Sequence, residues 1–193
     1  VLEKGESIRQ LSFNEEELKI LKGFQLLTLK PVLYVANISE SGFKDNVFLD
    51  EIIEYAKKDN SKVVAICADV EQQISKFDPV EKNEYLLEMG QSDSGLDRLI
   101  NAGYRLLGLQ TYFTAGPEEV RAWTINIGDK APKAAGKIHS DFEKGFIRAE
   151  TIGFDDFISN NGEKGAKEAG RLRSEGKDYI VKDGDVLHFL FNN

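Results

Sequence analysis

Asn37 and Glu40, three residues apart at the end of the apolar run KPVLYVANISE (residues 30–40), have the types and spacing to recognise a purine. An Asn side-chain amide presents one acceptor and two donors. It can pair bidentately with N6 and N7 of adenine, or contact O6 and N7 of guanine. The acid three residues on decides between the two bases. An aspartate there would be short enough to receive the N1 and N2 donors of guanine. Glu40 is one methylene longer, which misplaces that acceptor, so guanine loses its advantage and adenine becomes acceptable. Residue types alone leave a second reading open, because Asn and Ser after a strand are also ordinary turn and cap residues.

Other constellations carry less. His139, Ser140 and Asp141 are triad residue types, but adjacent side chains point in different directions and no preorganised oxyanion site accompanies them. His139 and His188 are too few and too far apart for a zinc site without cysteine or acidic company. His188 reads instead as a strand residue facing solvent or a cross-strand partner. Gly162, Gly165 and Gly170 follow no buried strand and read as helix punctuation. A phosphate-binding loop of the form GxxxxGK[ST] is absent: Gly136-Lys137 is followed by Ile138 and Gly176-Lys177 by Asp178, and no DxxG occurs. With no such loop, nothing holds or polarises a γ-phosphate, and the chain as given is expected not to hydrolyse nucleotide.

The elements that must position Asn37 and Glu40 read as alternating helix and strand over the first 110 residues. Ser12 and Glu15 have capping-box spacing before a helix carrying Leu18 and Leu21. Val32 to Ala36 is a continuous apolar strand of the type covered on both faces. Phe48, Ile52, Tyr55 and Ala56 recur at helical spacing between residues 46 and 58. Lys62 to Ile66 is a second such strand, which completes a parallel βαβ unit. Asp78, Pro79 and Glu81 start another helix. A clear helix follows, with Ser94 and Asp97 at its entry, Leu96, Leu99, Ile100, Gly103, Leu106 and Leu107 on one face, and Gly108 as stop.

Beyond Gly108 the texture changes. Gln110 to Ala115 and Arg121 to Asn126 read as strands around Gly116-Pro117, and Ala131 to Ile138 as a short helix. Phe146 to Ile152 and Val186 to Phe191 supply further strands, with a Gly-punctuated helix over Asn161 to Gly170 between them. That is an α+β roll, and composition places a domain boundary near Leu109.

The chain has 193 residues, of which 41% are hydrophobic, enough for two small cores. A net charge of −8 argues against a protein that coats nucleic acid by bulk electrostatics. The single cysteine, Cys67, excludes an internal disulfide and suits a reducing, cytoplasmic setting. No segment approaches the length of an apolar membrane span, so no membrane partner is expected. The first residue is Val1 and the only methionine is Met89, which gives the sequence the look of a piece of something longer.

The run from Thr111 to Glu150, together with GAKEAGRLRSEGKDYIVKDGDVLHFLFN, closely resembles the TGS domain of YchF-type Obg-like ATPases. KPVLYVANISE resembles that family's base-recognition strand, and VVAICADVE its second base-contacting loop. The resemblance implies three parts: the tail of a helical insert over 1–28, the C-terminal part of a P-loop nucleotide-binding domain over 29–109, and a β-grasp TGS domain over 110–193. It further implies an ATP-preferring hydrolase of ATP or GTP, dependent on Mg²⁺ in its full length and associated with the ribosome. Carried over by residue, Asn37 is the base-pairing amide, Ile38 the apolar contact beside the ring, and Glu40 the acid. Cys67 and Ala68 form the loop whose backbone approaches the base. Read by itself, Cys67 is also an ordinary small buried residue.

Residues 1–110 carry 13 basic and 19 acidic side chains, residues 111–193 carry 12 and 14, so the second part is nearer neutral. Lys133, Lys137, His139, Lys144 and Arg148 form one basic cluster, and Arg171, Arg173 and Lys177 another. A solvated mixed surface is the plain reading. The resemblance implies a phosphate-contacting face for ribosomal or transfer RNA. Phe142 and Phe146 could stack bases, but core packing is the favoured reading of both. The rival to a nucleotide hydrolase is a TGS-containing RNA- or protein-binding module with no nucleotide site.

Overall fold

A computed structural model describes residues 1–192 as a mixed α/β chain of two compact units, Val1–Leu107 and Gly108–Asn193. In the first, α1 (Glu15–Gly23) starts not at Ser12 but at Asn14. Asn14 accepts from the Glu17 backbone while the Glu17 carboxylate accepts from the Asn14 N–H, so the capping box lies two residues later than its sequence spacing suggests. Strands β1 (Leu33–Asn37) and β2 (Lys62–Ile66) are parallel and joined through α2 (Val47–Lys58).

Contrary to the expectation of a strand covered on both faces, Val35 of β1 is 43% exposed, and among the described residues β1 pairs with β2 alone. Phe48 and Tyr55 of α2 likewise face out, and its buried position is Ala56. Helix α3 (Ala68–Ile74) follows β2 directly where the sequence suggested only a loop. Helices α4 (Pro79–Glu88) and α5 (Gly95–Leu106) begin at Asp78 and Ser94 as their cap residues foretell. Gly108 ends α5's run with a φ of 64°, a left-handed turn suited to glycine. Cys67, Val70, Ile74 and Leu86 form the small core, with Phe43, Tyr85 and Met89 packed on it.

Asp59, just past α2, is buried. It accepts from Arg9 Nη1 at 2.8 Å, Ser61 Oγ and Tyr34 Oη at 3.2 Å, and Gln10 Nε2 at 3.5 Å. Arg9 also donates to the Lys30 carbonyl at 2.9 Å. Burial by itself would raise the Asp59 carboxyl. Hydrogen bonds from Ser7, Ser61 and Arg9, with the Arg9 charge, outweigh it and hold the group below the ordinary aspartate range. One carboxylate thus ties the N-terminal segment to the α2–β2 turn of the βαβ unit.

The second unit is a five-stranded sheet in the order β4-β3-β7-β5-β6. Its strands are β3 (Leu109–Ala115), β4 (Val120–Asn126), β5 (Phe146–Gly153), β6 (Arg173–Glu175) and β7 (Asp185–Phe191). The central pair β3 and β7 is parallel and the others antiparallel. Helix α6 (Ala131–Ile138) buries Ala131, Ala134 and Ala135 against Tyr112, Ile125, Leu187 and Phe189. Small residues let it approach closely enough for the Tyr112 hydroxyl to donate to the Ala134 carbonyl at 2.9 Å. Trp123 stacks on Tyr112, donates to Thr114 Oγ1 at 2.9 Å, and carries the Arg121 guanidinium 4.3 Å from its ring centre.

Three short elements had no clear sequence signal: α7 (Ser140–Lys144), α8 (Phe154–Ser159) and strand β6. Helix α9 (Glu163–Glu168) is shorter than the Asn161 to Gly170 span suggested, since Gly162 and Gly170 bound it with φ of 103° and 71°. The loop before β7 is fastened by buried Asp185, which accepts from the Tyr179 hydroxyl at 2.6 Å and the Lys182 N–H at 2.9 Å. Burial first, then Asp185, pushes the Tyr179 hydroxyl up to about 12.

Candidate functional site

Parallel pairing brings the two ends of the candidate base site together. Asn37 is the last residue of β1 and lies in register with Ile66, the last of β2. The ladder continues one step further, the Ile38 N–H donating to the Ile66 carbonyl at 2.9 Å. This places the Asn37 side chain beside the β2–α3 turn, where its Oδ1 accepts the Ala68 N–H at 3.1 Å. A backbone N–H can only donate, so this bond fixes which way the amide points. The Nδ2 hydrogens are left for a ligand, and Oδ1 keeps one lone pair. Asn37 and Ala68 are both exposed.

Ile38 is half-buried beside Asn37. Glu40 is exposed and opens the 3₁₀ turn Glu40–Phe43, which Asn46 secures by donating to the Gly42 carbonyl at 3.0 Å while its Oδ1 caps α2. Cys67 is turned into the small core and is the N-cap residue of α3, a packing position that matches its plain reading. The five residues therefore come from two adjacent chain turns. Asn37 and Ala68 are bonded to each other. Glu40 is carried on the neighbouring turn.

The basic residues of the second unit divide by what they already hold. Lys133 pairs with buried Asp129 at 2.8 Å, and Asn126 donates to the same carboxylate. For Asp129, burial is outweighed by these bonds and its carboxyl lies low. Arg173 is engaged by Glu175, Asp185 and Tyr179, Arg171 lies 3.6 Å from Asp156, and Arg148 3.8 Å from Glu150. His139 Nδ1 accepts the Asp141 N–H and so caps α7. Among the described residues, Lys137, Lys144 and Lys177 have no acidic partner within ion-pair distance. Phe146 is core and Phe142 stacks on Phe191 at 3.8 Å, which leaves packing as the role of both. His188 is exposed opposite Glu150.

Sequence reading passed over Glu71, Gly95 and Arg98, which hold the β2–α3 turn from behind. Glu71 ends the run VVAICADVE, and the chain order shows no partner for it. No helix is long and apolar enough to cross a membrane, and no group of metal-ligating side chains occurs among the described residues.

Residues 109–192 match the family model YchF-GTPase_C, described as a protein of unknown function (DUF933). The chain is 57% identical over 191 residues to the ribosome-binding ATPase YchF of Escherichia coli O157:H7, covering 99% of this chain and 53% of that protein. It is 52% identical over 193 residues to the protein of the same name from Bacillus subtilis strain 168, covering 98% of this chain and 53% of the other. Among solved structures, the Schizosaccharomyces pombe YchF GTPase superposes with a TM-score of 0.83 at 34% identity, over 97% of this chain and 50% of that one. The chain thus spans about half the length of the relatives it matches.

Proposed function

Because this chain belongs to the YchF family, we propose that it is the C-terminal portion of an ATP-preferring hydrolase of ATP or GTP that works on the ribosome. In this reading residues 1–28 are the tail of a helical insert, 29–109 the C-terminal part of a P-loop domain, and 110–193 a TGS domain. The observation that carries it is the Asn37 amide, oriented by the Ala68 N–H at the ends of two parallel strands. Exposed Val35, Leu96 and Ile100 support it as well, since a wider parallel sheet would cover residues of that type. The part of the protein that supplies the phosphate-binding loop also supplies the Mg²⁺ site.

With Oδ1 directed at Ala68, Asn37 Nδ2 donates to purine N7, and the spare Oδ1 lone pair accepts adenine N6–H. Ile38 packs against the ring, and Glu40 is placed too far along to serve guanine as an aspartate would. In the full-length protein, Glu40→Asp should shift preference toward GTP by about 1 to 3 kcal/mol, the discrimination of one good bidentate contact. Titration calorimetry with both nucleotides reads this out, and unchanged selectivity would remove Glu40 from the site.

The TGS part would meet ribosomal or transfer RNA through the lysines that hold no acid, foremost Lys137 and Lys144. Gly136 has no side chain, which lets Glu143 of α7 press against α6, so the helices that carry Lys137 and Lys144 are packed on each other. Removing one lysine–phosphate pair should flatten the dependence of log affinity on log salt by about 0.7 to 0.9. Lys137→Glu with Lys144→Glu should therefore weaken ribosome association most at low salt and leave nucleotide binding as it was. Co-sedimentation over a salt series tests it; equal pelleting of both proteins throughout would make the lysines plain surface.

A further inference from the structure

Both sides of the turn that holds Asn37 are fastened to the first turn of α5, which does not itself reach the candidate base site. Upstream, Arg98 Nη2 donates to the Ala65 carbonyl at 3.2 Å. Downstream, Glu71 Oε1 accepts the Gly95 N–H at 2.6 Å. Arg98 is itself steadied through Nη1, which donates to the Asp93 carbonyl at 2.7 Å and to the Gln91 side chain. Gly95 is buried, and a Cβ there would lie 2.8 Å from Glu71 Oε1 and 3.1 Å from the Ile66 side chain. A side chain at residue 95 would crowd the Glu71 carboxylate and Ile66, so glycine suits the close approach of this bond. Neither Glu71 nor Arg98 bonds to Asn37.

On the reading of Asn37 as the purine amide, we infer that Glu71 and Arg98 are positioning residues that set base affinity by fixing the Ala68 N–H. The chain of contacts is short: α5 holds Ala65 and Glu71, these bracket Cys67 and Ala68, and Ala68 orients Asn37. Loosening either anchor lets α3 pivot and the Ala68 N–H leave Oδ1. The Asn37 amide is then free to rotate, and a purine must order it on binding. The effect is expected for ligands that carry a base, because the bond the anchors hold in place is the one that orients the Asn37 amide.

The test uses the full-length protein and two ligands with Mg²⁺, ATP and ribose 5′-triphosphate. Glu71→Ala removes a hydrogen bond to a charged acceptor and should weaken ATP about tenfold while leaving ribose 5′-triphosphate unchanged. Glu71→Gln keeps an acceptor oxygen and should restore ATP affinity to within about twofold. Hydrogen exchange at the Ala68 amide should be faster in Glu71→Ala than in Glu71→Gln. Asn37→Ala is the control for the site itself. If it leaves ATP affinity unchanged, the purine reading fails and the inference with it. If Asn37→Ala weakens ATP and Glu71→Ala does not, or weakens both ligands alike, the positioning role alone is overturned. Should Glu71→Ala not fold, Arg98→Met keeps an unbranched apolar stem, removes the donor to the Ala65 carbonyl, and must show the same base-confined loss.

Discussion

Residues 1–193 prepared by themselves should release no phosphate from Mg²⁺-ATP above the spontaneous rate, whereas the full-length protein should turn over. The reason is chemical. Phosphoryl transfer is catalysed by positioning and by neutralising charge on the γ-phosphate, through a backbone cradle, a lysine and a metal-holding hydroxyl. The sequence holds no GxxxxGK[ST] run to provide these, and the described residues bring no alternative cluster of metal ligands together. On the proposed reading, Asn37 contacts the base and nothing further along the nucleotide. A phosphate-release assay on both proteins decides it, and Mg²⁺-dependent turnover by residues 1–193 would refute the assignment.

Asp59→Ala should destabilise the first unit by about 2 to 4 kcal/mol, the range for breaking a buried pair and stranding its hydrogen-bond donors. Arg9, itself only 15% exposed at the side chain, would lose its carboxylate, and Tyr34 and Ser61 an acceptor. Peptides covering residues 1–14 should lose protection in amide exchange. The pH dependence has a definite sign. The folded-state pKa is depressed, so the carboxylate's contribution is full above the ordinary aspartate value and disappears as pH falls through the lower folded-state value. Wild-type protection of the Arg9 peptide should show that acid step, and the alanine variant should lack it. Equal exchange in the two proteins would show that Asp59 does not hold the segment.

What could be read from the chain follows from how local each signal is. Strand β2 and the starts of α4 and α5 were legible because Asp78, Pro79, Ser94 and the apolar, β-branched-rich run Val63 to Ile66 act within a few residues. Asn37 was legible through its place at a strand end. The Asn14 box was misplaced because Ser12 offers the same spacing, and the choice rests on bonds that only geometry resolves. Phe48, Leu96 and Ile100 recur at helical spacing, yet spacing says only that a face is apolar, not what covers it. Helix α3 hid behind a strand because Ile66, Cys67 and Ala68 continue the apolar run. The Glu71–Gly95 and Arg9–Asp59 links were out of reach, since they join residues 24 and 50 positions apart that no periodicity connects.

Trp123 is the one tryptophan in the chain, in contact with the Tyr112 ring and the Arg121 guanidinium. Light absorbed by indole and not by phenol is therefore emitted from the second unit alone. Unfolding that unit strips Arg121 and the Thr114 bond from the ring and exposes it to water, so its emission should move to longer wavelength. The first unit, with Asn37, Glu71 and Asp59, has only tyrosines and is dark in that channel. A melting curve followed by indole fluorescence reads one unit and misses the other, and a ligand titration watched the same way misses a purine that fills its site without disturbing β3 and β4.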